Sequence, residues 1–212
     1  RLRLGTGVAV PGLRLAPVAA NGIATINRLA PGRCFMGLGT GNTAMRMLGH
    51  PPAKVVEFRE YIRVVSALLR GEEVEFTLDG VTHLITFANQ DSGYINVTDP
   101  IPVHVGGFGP RAQALAGELG DGLITGIPRG GSITQALANV HRGAERVGRS
   151  LDEFKTYALV NLLMLEPGEA LDSERAIAEI GSGIMVNVHY LVERWKETGE
   201  DPPDYVKPVW KD

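Results

Sequence analysis

The sequence has a single cysteine, Cys34, so no disulfide can form within the chain and no thiolate cluster can hold a metal. Aromatic residues fill only 6% of the 212 positions, and no apolar run is long enough to span a bilayer. No signal-peptide pattern opens the chain. Neither sign of charge dominates: 21 Lys and Arg stand against 24 Asp and Glu, for a net charge of -3. That balance excludes the basic footprint of a nucleic-acid or anionic-membrane binder. Nucleotide signatures are missing too. No GK[ST] of a P-loop occurs, and Gly37-Leu38-Gly39-Thr40-Gly41 lacks the G-x-G-x-x-G spacing, with Pro51-Pro52 delaying the next helix. Among His50, His83, His104, His141 and His189 no pair has the i, i+4 spacing of a helical zinc site, so no metal is expected.

Glycine, by contrast, is abundant. The chain has 27 glycines and 13 prolines, while apolar residues still reach 44%. Average glycine usage is roughly 7%, and a collagen period is absent, so the excess belongs to turns of a folded domain.

Apolar periods alternate along the chain. Leu2 to Val10 reads as a strand, followed by a helix from Pro17, and Cys34 to Gly39 as a second strand. Val55, Phe58, Ile62, Val65 and Leu69 form the stripe of a helix from about Ala53 to Arg70, stopped at Gly71. The period then changes to two: Glu73 to Leu78 and Val81 to Phe87 flank Asp79-Gly80, a hairpin signal. Strands are expected again around Val103-Val105, Gly122-Thr125 and Tyr157-Leu165. Helices are expected over Pro110-Leu119, Ile133-Val147 and Ser173-Lys196, the last interrupted at Gly181 and Gly183. Repeated strand–helix order implies a parallel sheet, because parallel neighbours need a crossover.

The glycines are not scattered over this pattern. Gly5-Thr6-Gly7 follows the first strand, Gly39-Thr40-Gly41-Asn42 the second, Gly106-Gly107-Phe108-Gly109 the third and Thr125-Gly126 the fourth. In a parallel α/β fold these carboxyl ends share one face, where ligands bind. Any one cluster reads as an ordinary turn. Four on one face point to a site for an anionic group, met by backbone N–H groups and a helix N-terminus.

Gly5-Thr6-Gly7-Val8, Gly32-Arg33, Gly37-Leu38-Gly39-Thr40-Gly41, Gly49, Glu57-Phe58-Arg59-Glu60, Leu68-Leu69-Arg70-Gly71-Glu72, Gly109-Pro110 and Gly120-Asp121-Gly122 occur in a recognisable order. The chain resembles the bacterial luciferase-like monooxygenase superfamily, and within it the reductases related to methylenetetrahydromethanopterin reductase. The resemblance implies a TIM (β/α)8 barrel binding FMN or the deazaflavin coenzyme F-420 at its carboxyl face. Family members are longer, so residues 1–212 are expected to form one barrel domain truncated at both ends. That domain would hold strands three to seven, with 72–100 as a hairpin insertion.

Carried over by position, the resemblance makes Gly7-Val8 the family's non-proline cis peptide against the flavin ring. Cofactor contacts fall on Thr6, Gly7 and Val8, then on Gly39, Thr40, Gly41 and Asn42. A further set falls on Gly106, Gly107, Phe108, Gly109, Thr125 and Gly126. An acid often occupies the position of Asn42 in the sugar-phosphate dehydrogenases of the family, so its absence argues against that activity. The implied protein is a cytoplasmic flavoprotein oxidoreductase or monooxygenase acting on a small-molecule substrate, as a homodimer or higher homo-oligomer.

In such a protein the cofactor carries the reaction. Acid–base groups in the family come from the first two strands, so no catalytic residue is assigned here. Two alternatives remain at this point. One is a non-catalytic flavin or phosphate-ligand binder on the same barrel. The other is an aldolase-like phosphate-binding barrel, disfavoured because no lysine ends a predicted strand. His104 reads as a packing residue in mid-strand, and Arg129 as a loop cation able to meet an anionic tail.

Overall fold

The computed structural model describes residues 2–88, 90–126, 133–199 and 201. The chain divides into two units, residues 1–159 and 160–212. In the first, β1 (Leu4–Gly5) leads through a 3-10 turn (Pro11–Leu13) to α1 (Ala16–Leu29) and β2 (Cys34–Leu38). Two helices follow, α2 (Asn42–Met47) and α3 (Val55–Leu69), and then a hairpin of β3 (Val74–Leu78) and β4 (Val81–Ile85). The strand–helix alternation then resumes with β5 (Val103–Gly106), α4 (Pro110–Leu119), β6 (Gly122–Gly126), α5 (Ile133–Val147) and β7 (Lys155–Leu159). The second unit contains α6 (Glu174–Thr198).

Five strands form one all-parallel sheet in the order β1-β2-β5-β6-β7, and the hairpin stands apart as a two-stranded sheet. Among the described residues no ladder joins β7 to β1, and the barrel is incomplete. Register fixes which residues share a face: Leu38 pairs with Val105, His104 with Gly122, and Gly126 with Leu159. Because side chains alternate along a strand, Cys34, Met36, Leu38, Val103, Val105 and Leu123 lie on one face. They are buried in one cluster with Ile23, Phe58, Ile62, Leu68 and Leu115 from the helices. Each fully buried side chain of this size contributes about 1.5–3 kcal/mol.

Polar anchors hold the layers in place. Asn27, wholly buried on α1, donates to the carbonyls of Asn96 and Asp99 at 3.0 Å each and accepts from the N–H of Gly32 at 3.2 Å. Glu118 on α4 is buried between Arg59 of α3 and Arg146 of α5, joining three helices. Asp121 accepts from the N–H of Val103 at 2.8 Å and from Arg149 at 2.9 Å. The Gly120-Asp121-Gly122 motif therefore fastens the amino ends of β5 and β6, opposite the glycine-rich loops.

Several boundaries differ from the sequence expectation. The first strand is not continuous over Leu2 to Val10. It stops at Gly5, and pairing resumes only where Ala9 bridges Leu38. The fifth strand spans Lys155–Leu159 rather than Tyr157–Leu165: β7 pairs with β6, and β6 ends at Gly126 opposite Leu159, so the run from Val160 to Leu165 has no ladder partner among the described residues. Gly181 and Gly183 do not interrupt α6, which runs unbroken. The short α2 was not foreseen.

Candidate functional site

In a parallel sheet the loops leaving the strands converge on one side, and here the first three meet at Val8. The peptide bond between Gly7 and Val8 is cis, as the resemblance implies. Thr6 supports this turn by donating its hydroxyl to the Gly37 carbonyl at 2.7 Å, while the N–H of Ala9 donates to the same oxygen at 2.8 Å. The Gly39 N–H in turn donates to the Ala9 carbonyl at 3.0 Å. The Val8 side chain thus enters the ends of β2 and β5. A Cβ on Gly39 would stand 2.6 Å from Val8 Cγ2, and one on Gly106 3.4 Å from Val8 Cγ1. Thr6, Gly7, Val8, Gly39 and Gly106 are brought together.

The remaining candidates fall into three groups. Gly41 has a positive φ of 79° and starts α2, where Asn42 Oδ1 accepts from Arg46 Nε at 2.8 Å. The Thr40 carbonyl accepts from the N–H of Ala53 at 3.0 Å, closing this loop. Gly107 donates its N–H to the Ile124 carbonyl at 3.0 Å, and the exposed Phe108 lays its ring 2.8 Å from where a Gly126 Cβ would stand. Thr125 is different. By register it shares the helix-facing side with Leu123 and Val105, and its hydroxyl is buried without a partner among the described residues. Arg129 lies outside the described residues.

The structure separates two reasons for glycine at these turns. Gly39, Gly106 and Gly126 make room for a neighbouring side chain or backbone of the protein itself. Gly7 and Gly109 face no atom of the described residues within 4 Å of where a Cβ would stand, their chain neighbours aside, so the space beside them is open among those residues. Gly109 is also the N-cap of α4, with Pro110 as the first helical residue, no capping side chain and no acid in the first turn. An open, uncapped helix N-terminus beside a glycine accommodates an anionic group. The loop before it is held from behind: Gln113 donates to the Phe108 carbonyl at 3.1 Å and accepts from Asn139 at 2.8 Å, both amides being buried.

Beneath Gly106 on the same sheet face sits His104, 2% exposed, between the rings of Phe35 (centroids 5.4 Å apart) and Tyr157 (4.8 Å). Burial pushes its pKa below the usual histidine value; Asp121 opposes that shift and Arg3 adds to it. Among the described residues no cluster of three His, Cys, Asp or Glu could hold a metal ion, and no helix is long and apolar enough to cross a membrane. Sequence reading missed the exposed cations Arg14 and Lys54 on these loops and Arg111 in the first turn of α4. Their signal was present: residues 6–15, 39–54 and 107–111 contain no acid.

Residues 1–205 match the family model described as luciferase-like monooxygenase. The F420-dependent glucose-6-phosphate dehydrogenase of Beutenbergia cavernae is 35% identical, the match covering 99% of this chain and 68% of the relative. The 5,10-methylenetetrahydromethanopterin reductase of Methanolobus tindarius is 30% identical, covering 87% and 53%. Among solved structures, the coenzyme F420 dependent tetrahydromethanopterin reductase from Methanopyrus kandleri superposes with a TM-score of 0.60 at 26% identity, over 74% of this chain and 49% of that one. The chain thus spans about half to two-thirds of the length of these relatives. The neighbour's barrel and the parallel sheet described above are the same architecture, present here in part. With its matching family model and its relatives at 30% identity and above, the chain belongs to the luciferase-like monooxygenase family.

Proposed function

We propose that this chain forms the cofactor cradle of an oxidoreductase that uses F-420 or FMN. The observation that carries the reading is the convergence of three strand-end loops on Val8, with open space at Gly7 and at the uncapped start of α4. The relatives at 30% identity and above carry F420 or methanopterin chemistry in their names, which favours the deazaflavin over FMN. The cofactor supplies hydride transfer, and the protein's part is to bind, orient and shield it. In this reading Gly7 and Val8 lie against the ring. The backbone N–H groups at the start of α4 receive the phosphate of the tail. Thr40, Gly41 and Asn42 border it from the second loop, and Phe108 covers one side from the third.

The rest of the reading follows from the resemblance. It includes a single barrel domain over residues 1–212 with 72–100 inserted, a small-molecule substrate, self-association and a cytoplasmic setting. Asn42, where an acid is common in the sugar-phosphate dehydrogenases, speaks against a sugar phosphate as the substrate. Titration of the intact protein with F-420 and with FMN, followed by visible absorbance and fluorescence, tests the reading. Binding of one of them with reduction by an alcohol or hydride donor supports it. Absence of binding to both removes it.

A further inference from the structure

The face of α3 that looks toward the hairpin is not wholly apolar. Glu57, Glu60 and Tyr61 follow the i, i+3, i+4 spacing that places side chains on one side of a helix. With Ala16 at the start of α1 and with Glu75 and Phe76 on β3, they line a cleft of about 230 Å³. Three carboxylates border this cleft against one guanidinium, that of Arg63. Arg63 donates from Nε to Glu60 at 2.9 Å and from Nη2 to the Glu75 carbonyl at 2.7 Å. One Glu57 oxygen accepts from the N–H of Lys54 at 3.0 Å. These bonds use neither the second Glu57 oxygen nor the exposed Glu75 carboxylate. The Tyr61 hydroxyl is buried without a hydrogen-bond partner among the described residues, in a side chain only 8% exposed.

A buried hydroxyl with no partner is costly unless a molecule in the cleft bonds to it. Long side chains on a helix lean back toward its amino end, so the Tyr61 ring runs toward the turn bearing Glu57. Burial pushes the Tyr61 hydroxyl up to about 12, with Arg14 opposing, so the group stays neutral and its oxygen can accept. The complement of this cleft is a small cation rich in hydrogen-bond donors, with a hydrocarbon stem to lie against Ala16 and Phe76. No three His, Cys, Asp or Glu among the described residues could hold a metal ion, so the ligand has to bring its own donors. An ammonium carries three. We propose that the cleft between α1, α3 and β3 binds an aliphatic ammonium ion, whose nitrogen donates to the Tyr61 hydroxyl and to the carboxylates of Glu57 and Glu75. Set against the three carboxylates, Arg63 and the nearby Arg14 leave one net negative charge, which matches a single ammonium. None of these residues belongs to the cofactor reading above, so the two stand or fall separately.

The test is calorimetric titration of the intact protein with butylamine. Butanol, which lacks the charge, and tetramethylammonium, which lacks the N–H donors, serve as controls. Butylamine should bind and the two controls should not. Tyr61→Phe should weaken butylamine about 10-fold or more, the size of a hydrogen bond to a charged group. Glu75→Gln, at an exposed position, should weaken it several-fold. Without ligand, Tyr61→Phe should melt at the same temperature as the wild type or higher, because the hydroxyl it removes has no partner. Failure of butylamine to bind the wild type would overturn the proposal, as would equal affinity of the wild type and Tyr61→Phe. Tetramethylammonium bound as tightly as butylamine would overturn it too, by reducing the cleft to general charge attraction. So would a lower melting temperature for Tyr61→Phe, since the hydroxyl would then have its partner within the protein.

Discussion

The imidazole of His104 lies 4.8 Å from the ring of Tyr157, centroid to centroid, and neither of its nitrogens has a hydrogen-bond partner among the described residues. A buried, unpartnered imidazole is tolerated when neutral and costly when charged. The direction of its shift fixes the pH dependence. Its folded pKa lies below the ordinary value, so below about 6.5 the unfolded chain binds the proton more readily than the folded one. Stability is therefore fully present above that pH and is lost as pH falls from it toward the folded pKa. Thermal melts from pH 8 to pH 5 should show this decline in the wild type. In His104→Phe the decline over the same window should shrink. An identical pH profile in both proteins would show that another group titrates.

Gly39 and Gly109 make a pair of opposite expectation. A Cβ at Gly39 would stand 2.6 Å from Val8 Cγ2, a separation that real contacts do not reach, and Val8 is held in the connection that follows β1 by the bonds of Ala9 to Gly37 and Gly39. Gly39→Ala should cost about 1–3 kcal/mol of stability by overpacking and displace Val8, weakening cofactor binding with it. Gly109→Ala meets nothing within 4 Å among the described residues, and its φ of -102° suits any residue. It should leave the melting temperature nearly unchanged and still weaken the cofactor, because the added methyl occupies ligand space. Calorimetric melts and cofactor titrations of the two variants check this. A Gly109→Ala protein that binds as tightly as the wild type would move the phosphate away from α4.

These glycines also mark where sequence reading worked and where it stopped. The hairpin was legible at Asp79-Gly80 because both residues need positive φ, here 51° and 79°, and that pair of values suits a two-residue hairpin turn. The stripe on α3 was legible because its period is local. Clustering of glycine at strand ends located the candidate face, but the sequence could not say that Gly39, Gly106 and Gly126 are filled by the protein itself. That depends on Val8, Leu38 and Phe108 reaching across from other strands. The end of β7 was hidden for the same reason, since the apolar run continues through Leu165 while β6, its partner among the described residues, stops at Gly126. Within α6 two glycines cost about 1 kcal/mol each relative to alanine, yet the helix passes through them. At Gly183 the missing Cβ leaves room for the Asn161 amide, 2.7 Å from where that atom would be.

Glu118 joins α3, α4 and α5 through Arg59 and Arg146, with its own side chain 5% exposed and those of the arginines 42% and 59% exposed. The carboxylate is desolvated and the guanidinia are not, so the loss on removing it is smaller than for a fully buried pair. Glu118→Ala should destabilise the protein by about 1–3 kcal/mol, part of it from the lost ion pairs and part from the cavity. Glu118→Gln should recover some of that, because the amide still accepts a hydrogen bond. Urea unfolding of both variants checks the order. A Glu118→Ala protein as stable as the wild type would show that the three helices are held by their apolar contacts alone.

The buried amides Gln113 and Asn139 offer a way to perturb the candidate site without touching it. Asn139 on α5 donates to Gln113 Oε1, and Gln113 donates to the Phe108 carbonyl, so α5 steadies the loop after β5 through a chain of two hydrogen bonds. Asn139→Ala removes the first and leaves a buried acceptor unsatisfied, at a cost of about 1–3 kcal/mol. Gln113 then loses its fixed orientation, and the Gly106–Gly109 loop loses its support. Hydrogen exchange at Gly107 should quicken in this variant, since its N–H bonds to the Ile124 carbonyl only while the loop is in place. Cofactor affinity should fall several-fold, although Asn139 is not among the residues placed against the cofactor. If exchange at Gly107 quickens and affinity does not change, the loop after β5 is not part of the cradle. If neither changes, the two amides serve packing between α4 and α5.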